Sequence, residues 1–319
     1  STMVGGLYKQ GDIRRDKGFT IFYIGINLGA FISSLVVGTV GEVYGWHYGF
    51  GLAGIGMALG LLQYMLGQKY LKRVGNFLGS STDPEELAAS KRPLSKIEKD
   101  RVIVLLVSFL MVIVFWGAFE QAGGLMNIYA SEKTDRTLSF ALPFIGNEVP
   151  ASWFQSLNAL FIILLGTSVA GFWAKRKLKG KTATSLFKMT MGLIIMGSGF
   201  FFMTAASAQF QANGASAMYW LVLAYLFHTV GELCLSPVGL SYVSKLVPGR
   251  MIAMMYGVWY LAIAIGNKLA GSTGGMIDQV TQEYSLSTFF LLFFLIPGGA
   301  GVLIILLHPL LKKLMHCIH

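Results

Sequence analysis

The chain has 319 residues, of which 54% are hydrophobic and only 13% charged. Soluble globular chains carry about 25% charged residues, so this composition excludes a soluble, a disordered or a collagen-like protein. The formal net charge is +10, which raises nucleic acid as a partner, but the placement of the charges argues against it below. Two cysteines, Cys234 and Cys317, exclude a disulfide framework and a cysteine-rich metal site.

Crossing the hydrocarbon core of a bilayer takes about 20 apolar residues. Eight runs are long enough, at 19–41, 48–67, 102–130, 152–174, 184–206, 217–240, 251–273 and 286–308. Period-2 alternation is absent, which argues against a β-barrel. The expected fold is all-α, a polytopic helical bundle in a membrane. Glycine, at 39 residues, exceeds its usual share of about 7% and suits helices that pack closely in lipid. Gly56 and Gly60 have the G-x-x-x-G spacing of a packing seam. Trp116, Trp153, Trp173 and Trp220 fall at or near span ends, where an aromatic belt is expected.

The Lys and Arg residues sort onto alternate connections. Of the 25, 22 fall on one side, Lys133 and Arg136 on the other, and Lys268 inside a span. Cytoplasmic loops carry such an excess, so the chain is expected to keep both ends in the cytoplasm. The basic residues then serve orientation and contact with anionic lipid rather than nucleic acid. The longest polar stretch, 68–101, reads as a cytoplasmic linker between a two-span part, 1–67, and a six-span part, 102–319. The start, STMVGGLYKQGD, lacks Met and resembles the last turns of another apolar helix, so further chain upstream is expected.

Charged side chains within the spans are Glu120, Glu232 and Lys268. A carboxylate at mid-bilayer costs about 2.5–3.5 kcal/mol on insertion scales, and the usual reason for keeping one is an ion, proton or substrate path. Loss of water disfavours the charged form, and a carboxyl in that state can take and release a proton in each cycle. The alternative is a glutamate hydrogen-bonded within the bundle that never titrates. Gln121 and Asn127 stand near Glu120. His228, four residues before Glu232, shares its helix face and reads as a packing or hydrogen-bonding residue. Pro237 leaves the carbonyl of Leu233 without a donor, so a bend is expected there, with or without a gating role. Lys268 lies near the outer end of its span and can snorkel to the interface. Asn27 and Asn158 are amides in apolar helices, suited equally to interhelical hydrogen bonds or to an amide-bearing ligand. Trp259, eight residues into its span, is a candidate pocket wall.

Several segments carry a family resemblance: FYIGINLGAFISS, FWGAFEQAGGLMNIYA, WFQSLNALFII, GELCLSPVGLSYVSKLVP and WYLAIAIGNKLAG. They resemble the fifth, seventh, eighth, tenth and eleventh spans of the proton-dependent oligopeptide transporters, within the major facilitator superfamily. The resemblance runs along nearly all 319 residues, and its tenth-span motif is specific. It implies twelve spans in two six-helix halves that rock about a central site, with this chain starting near the end of the fourth. The family's first-span E-x-x-E-R motif and fourth-span lysine are not in these residues, so this chain by itself is not expected to transport.

The implied activity is proton-coupled import of di- and tripeptides across a plasma or bacterial inner membrane, as a monomer without cofactor or metal. The resemblance implies that Glu120 binds a proton and that Glu232 faces the peptide's amino group, with Glu232 counted beside Glu120 as a proton-binding carboxylate. It implies that Asn158 bonds the peptide's amino end, that Asn27 contacts its backbone or carboxyl end, and that Trp259 walls a side-chain pocket. Gln121 is counted with these substrate-binding residues and Pro237 as the gating kink. Ala159 departs from the family's proline after Asn158, and Tyr256 and Tyr260 depart from its usual Met and Phe. Two alternatives stand: a nitrate or small-anion carrier, against which Glu232 speaks, and a non-transporting scaffold. Enzyme motifs fail, for G-x-S-x-G, H-E-x-x-H and a Walker A loop are all missing, and GKT at 180–182 has Lys175 where the upstream glycine belongs.

Overall fold

Among the described residues, eight helices long and apolar enough to cross a membrane carry the fold, at the places where apolar length puts them. The structure is a computed structural model that describes residues 14–71, 93–248 and 251–316. Helices α1 (Arg14–Tyr44) and α2 (Trp46–Leu71) form a hairpin that turns at Gly45, whose φ of 111° favours glycine. Most of the expected linker, and the expected upstream helix end at the start of the chain, lie outside the described residues. Helix α3 (Lys96–Phe119) starts at a capping box. The Ser95 hydroxyl accepts from the Glu98 N–H at 3.2 Å, and the Glu98 carboxylate accepts from the Ser95 N–H at 2.8 Å.

The run expected as one span over 102–130 is broken. After α3 come a 3-10 turn, Glu120–Ala122, the pair Gly123 and Gly124, and then α4 (Leu125–Lys133). Adjacent glycines are poor helix formers and a common cause of a break, and this pair was the signal for it in the sequence. Strands β1 (Thr134–Asp135), β2 (Thr137–Leu142) and β3 (Gly146–Glu148) follow, then α5 (Ser152–Leu178), α6 (Ser185–Asn213) and β4 (Ser216–Ala217). Helices α7 (Met218–Leu246), α8 (Ile252–Gly274), α9 (Ile277–Glu283) and α10 (Leu286–Leu314) complete the order. Strands β2 and β3 form a small antiparallel hairpin, and β1 pairs in parallel with β4. Both faces of the hairpin are largely exposed, so hydropathy does not announce it.

Within the bundle α6 packs against α7 and α10, α8 against α3, and α5 against α7. The α6–α7 crossing is close because glycines face each other. A Cβ on Gly231 would lie 2.6 Å from the carbonyl oxygen of Gly192, and one on Gly192 equally close to that of Gly231. Phe115, Met126, Leu193, Phe200 and Phe290 belong to the hydrophobic core of the bundle. Trp173 is buried, and the half-buried Trp116 sits edge-on to Phe115 and Phe119. Lys268 is exposed on α8.

The hairpin joins the bundle through α1 on α5, while α2 packs mainly on α1. Buried residues make up 6% of the apolar window of α2 against 56% of that of α6, so α2 is largely uncovered in this chain. Among the described residues nothing lies within 4 Å of a Cβ at Gly56 or Gly60, and the expected seam is not formed. The α1–α5 contact is locked at one end. The Glu42 carboxylate accepts the N–H groups of Ala151 and Ser152 at 2.8 and 2.7 Å, at the positive end of the α5 dipole. The Trp153 indole N–H donates to the Thr39 hydroxyl at 2.7 Å.

Gly231→Val would push a branched side chain into the α6 backbone and should cost about 1–3 kcal/mol. Thermal unfolding of the purified protein in detergent should show a clear fall in midpoint. Gly171→Ala, whose Cβ meets nothing within 4 Å, should leave it unchanged or slightly raised. Equal midpoints for the two variants would remove the α6–α7 crossing as a stability determinant.

Candidate functional site

Four helices bring the predicted polar residues to two places. The first lies where α1, α5 and α7 meet. The Asn158 amide on α5 donates to the Glu232 carboxylate on α7 at 2.9 Å and to the Thr229 hydroxyl at 3.1 Å. Thr229 is fixed in turn, since its hydroxyl donates to the Tyr225 carbonyl at 2.7 Å. Thr229 and Glu232 are three residues apart and share a face of α7, so one amide reaches both. The amide oxygen of Asn158 takes no hydrogen bond among the described residues. Across the gap, Asn27 on α1 is buried and donates to the Tyr23 carbonyl at 2.9 Å. The Tyr23 side chain lies within electrostatic range of Glu232.

A cavity of about 640 Å³ opens beside this cluster, lined by Tyr23, Asn27, Gly166, Thr167, Leu233 and Pro237 among others. That is ample for a small ligand. It reaches Lys177 and Lys188, at the lysine-rich end of the bundle. Pro237 lies inside α7, which continues through it as one helix, and presents its exposed ring to this cavity.

The second place is the broken segment. Glu120 occupies the 3-10 turn and lines a separate cavity of about 790 Å³ with Gln121, Asn267, Gly271 and Asp278. Its carboxylate has no hydrogen-bond or ion-pair partner among the described residues. The turn itself is held from two sides. The Tyr225 hydroxyl on α7 donates to the Ala122 carbonyl at 2.9 Å. The buried Gln121 amide donates to the Ala270 carbonyl at 2.9 Å and to the Thr273 hydroxyl at 3.0 Å, both on α8. Gln121 therefore anchors the break, with its amide N–H groups already engaged by α8.

The two carboxylates lie within electrostatic range of each other. Between their helices the ring of Phe119, next to Glu120, meets the ring of His228 at 6.2 Å. His228 is buried on Phe200 at 4.5 Å, and among the described residues neither ring nitrogen has a hydrogen-bond partner. Trp259 is not brought to either place. It is buried edge-on to Phe109 and fills the space left by the missing side chain of Gly239. Its depth in the span suggested a pocket wall, but the glycine opposite admits the indole into the core instead. Sequence reasoning missed Tyr23, Thr229 and Tyr225. A hydroxyl one turn from an intramembrane carboxylate was the signal for Thr229, while nothing local marked the other two.

Tyr225→Phe removes the bond to Ala122 and leaves a carbonyl in the break unpaired, at about 1–3 kcal/mol. The midpoint of thermal unfolding should fall, and amide hydrogen exchange should rise at 120–125 before it rises in α3. Unchanged exchange there would show that the break is held by something other than this bond.

The comparisons with known proteins agree with one another. The model of the POT family matches residues 1–83 and 88–290. The peptide transporter YePEPT of Yersinia enterocolitica is 32% identical, over 99% of this chain and 72% of the relative. A di-/tripeptide transporter of Lactococcus lactis subsp. cremoris is 29% identical, over 98% of this chain and 71% of its own length. Among solved structures, a point mutant of the peptide transporter POT in complex with alafosfalin superposes with a TM-score of 0.82 at 30% identity, over 98% of this chain and 71% of that one. A POT family transporter in complex with 5-aminolevulinic acid superposes with a TM-score of 0.83 at 26% identity, over 98% and 72%. With a family model matched along most of its length and the same helical arrangement in solved members, the chain belongs to the POT family of membrane transporters.

Proposed function

We propose that the protein is a proton-coupled symporter that takes up di- and tripeptides by alternating access. The observation that carries this reading is the Asn158–Glu232 pair beside the cavity between α1, α5 and α7. A peptide brings an ammonium group at one end. Glu232 supplies the opposite charge, and the uncommitted amide oxygen of Asn158 accepts a second N–H from it. Asn27, on the facing helix, is placed to meet the peptide further along. A small anion would instead meet a carboxylate, so the nitrate-type reading is disfavoured.

Glu120, unpartnered in its own cavity, is the proton-binding group of the cycle. Moving one charge through 100 mV releases about 2.3 kcal/mol, enough to drive accumulation. The clamp of Glu42 on α5 closes the end opposite the lysines, so the cavity beside Glu232 belongs to a state open towards the cytoplasm. Opening the other way requires α1 and α5 to part at Ala151 and Ser152. Pro237, which deprives α7 of one internal bond, is the point where that helix bends.

The lysine distribution supports an orientation with both chain ends in the cytoplasm, and the reading takes the membrane to be a plasma or bacterial inner membrane. By the same reading, 1–67 is the end of the N-terminal half, 68–101 the linker and 102–319 the C-terminal six-helix bundle. A monomer suffices, since the proposed binding residues come from one chain.

The test is uptake by the intact protein in proteoliposomes. An inward proton gradient should drive dialanine accumulation, and a gradient-independent signal would contradict proton coupling. Glu232→Gln should raise the KM for dialanine about ten- to a hundredfold, the worth of one hydrogen bond to a charged group. The same variant should lose most of the preference for dialanine over N-acetyl-dialanine. A preserved preference would take the amino group away from Glu232. Glu120→Gln should retain peptide exchange across the membrane while losing most of the acceleration by the proton gradient. Full gradient-driven uptake in that variant would rule Glu120 out as the coupling carboxylate.

A further inference from the structure

The lysine-rich end of the bundle holds a third cavity, of about 390 Å³, set at the ends of α5, α6, α7 and α10. Lys177, Lys181, Lys188, Lys245 and Lys312 line it, from four helices and the turn between α5 and α6. We infer that this cavity is a binding site for a phosphate-bearing anion, adjoining the cavity beside Asn27 and distinct from the Asn158–Glu232 pair.

Three features of the cavity argue for an anion. The first is uncompensated charge. None of the five lysines takes part in an ion pair with any described residue. Like charges converging on one recess repel, and the repulsion grows as water is excluded. The second is that the recess is built rather than frayed. Gly180, at φ 67°, turns the chain after α5. The Lys181 N–H donates to the Arg176 carbonyl at 3.1 Å, and the Arg176 guanidinium donates to the Thr182 carbonyl at 2.7 Å. Arg176 also stacks over Phe187, and the Lys188 ammonium lies 5.7 Å from the centre of the Trp173 ring. These contacts hold the turn with Lys181, and the stem of Lys188, against the helix ends. The third is the start of α6. The Thr184 hydroxyl caps the Phe187 N–H at 3.3 Å, while the earlier N–H groups of the first turn have no intrahelical acceptor. Thr184 and Ser185 line the recess, so the positive end of a helix dipole adds to the five ammonium groups.

Carboxylates and phosphates both answer such a field. A tetrahedral group with several oxygens and up to two charges uses convergent lysines from different directions better than a planar one does. The volume exceeds what a lone phosphate fills and has room for the polar part of a headgroup. The cavity stands at the depth of the expected cytoplasmic leaflet, where basic recesses between helices meet anionic headgroups. Lys177 and Lys188 also line the cavity beside Asn27, so an anion bound here sits next to the mouth of that cavity.

The experiment measures binding to the intact, purified protein by native mass spectrometry with phosphatidylglycerol against phosphatidylcholine, and by calorimetry with inorganic phosphate. Two double variants remove charge from the cavity: Lys188→Gln with Lys245→Gln, and Lys245→Gln with Lys312→Gln, the latter pair exposed and safe for folding. The control, Lys175→Gln with Lys179→Gln, removes the same charge from the same end outside the cavity. The expected result is selective binding of at least one probe, weakened about tenfold in both cavity variants and unchanged in the control. Retention of phosphatidylglycerol alone identifies a headgroup as the source, and saturable phosphate binding identifies a free anion. The inference is overturned if neither probe binds selectively, if the control weakens binding as much as the cavity variants, or if dialanine displaces the anion competitively.

Discussion

A carboxylate inside an apolar bundle is costly unless donors meet it or it faces a cavity, and the bond from Asn158 to Glu232 is the contact around which the central site is organised. Its two ends sit on different helices, so it registers α5 against α7. That register holds only if α7 is itself placed, and the glycine crossing with α6 places it. Thr229 shares the Asn158 amide and is tied to Tyr225, whose hydroxyl runs on to the broken segment that carries Glu120. A single face of α7 thus links the two intramembrane glutamates through backbone and side-chain bonds.

The two glutamates differ in surroundings, and the difference suits two tasks. Glu232 is bonded, next to a helix interface and beside a cavity that meets α1. Glu120 is unbonded among the described residues, at the surface of another cavity, in a turn that Gln121 pins to α8. A bonded carboxylate is a good partner for a fixed cation. An unbonded one, free of a competing donor, is better suited to exchange a proton. The rings of Phe119 and His228 pack between the helices that carry them.

Much of this was legible in the sequence. Apolar length marks spans because the bilayer admits little else, and all eight were found. Glu120, Glu232 and Asn158 stood out because the membrane makes polar groups costly, and two of the three meet in one cluster. What escaped was set by partners far away in the chain. Trp259 looked like a wall residue until Gly239, twenty positions earlier, opened the core to it. Glu42 looked like part of a loop, yet it caps a helix more than a hundred residues on. Gln121 is tied to α8 by its amide N–H groups, a contact that nothing near it in the sequence announces. The break at 120–124 was readable from Gly123 and Gly124, and was hidden because hydropathy counts apolar residues without asking whether the backbone runs straight.

The most direct test of the central claim is a structure of the intact protein with dialanine bound. The account predicts the peptide's amino nitrogen about 3 Å from both the Glu232 carboxylate and the Asn158 amide oxygen, in the cavity between α1, α5 and α7. A peptide bound with its carboxylate end at Glu232, or bound elsewhere with the Asn158–Glu232 pair untouched, would contradict it.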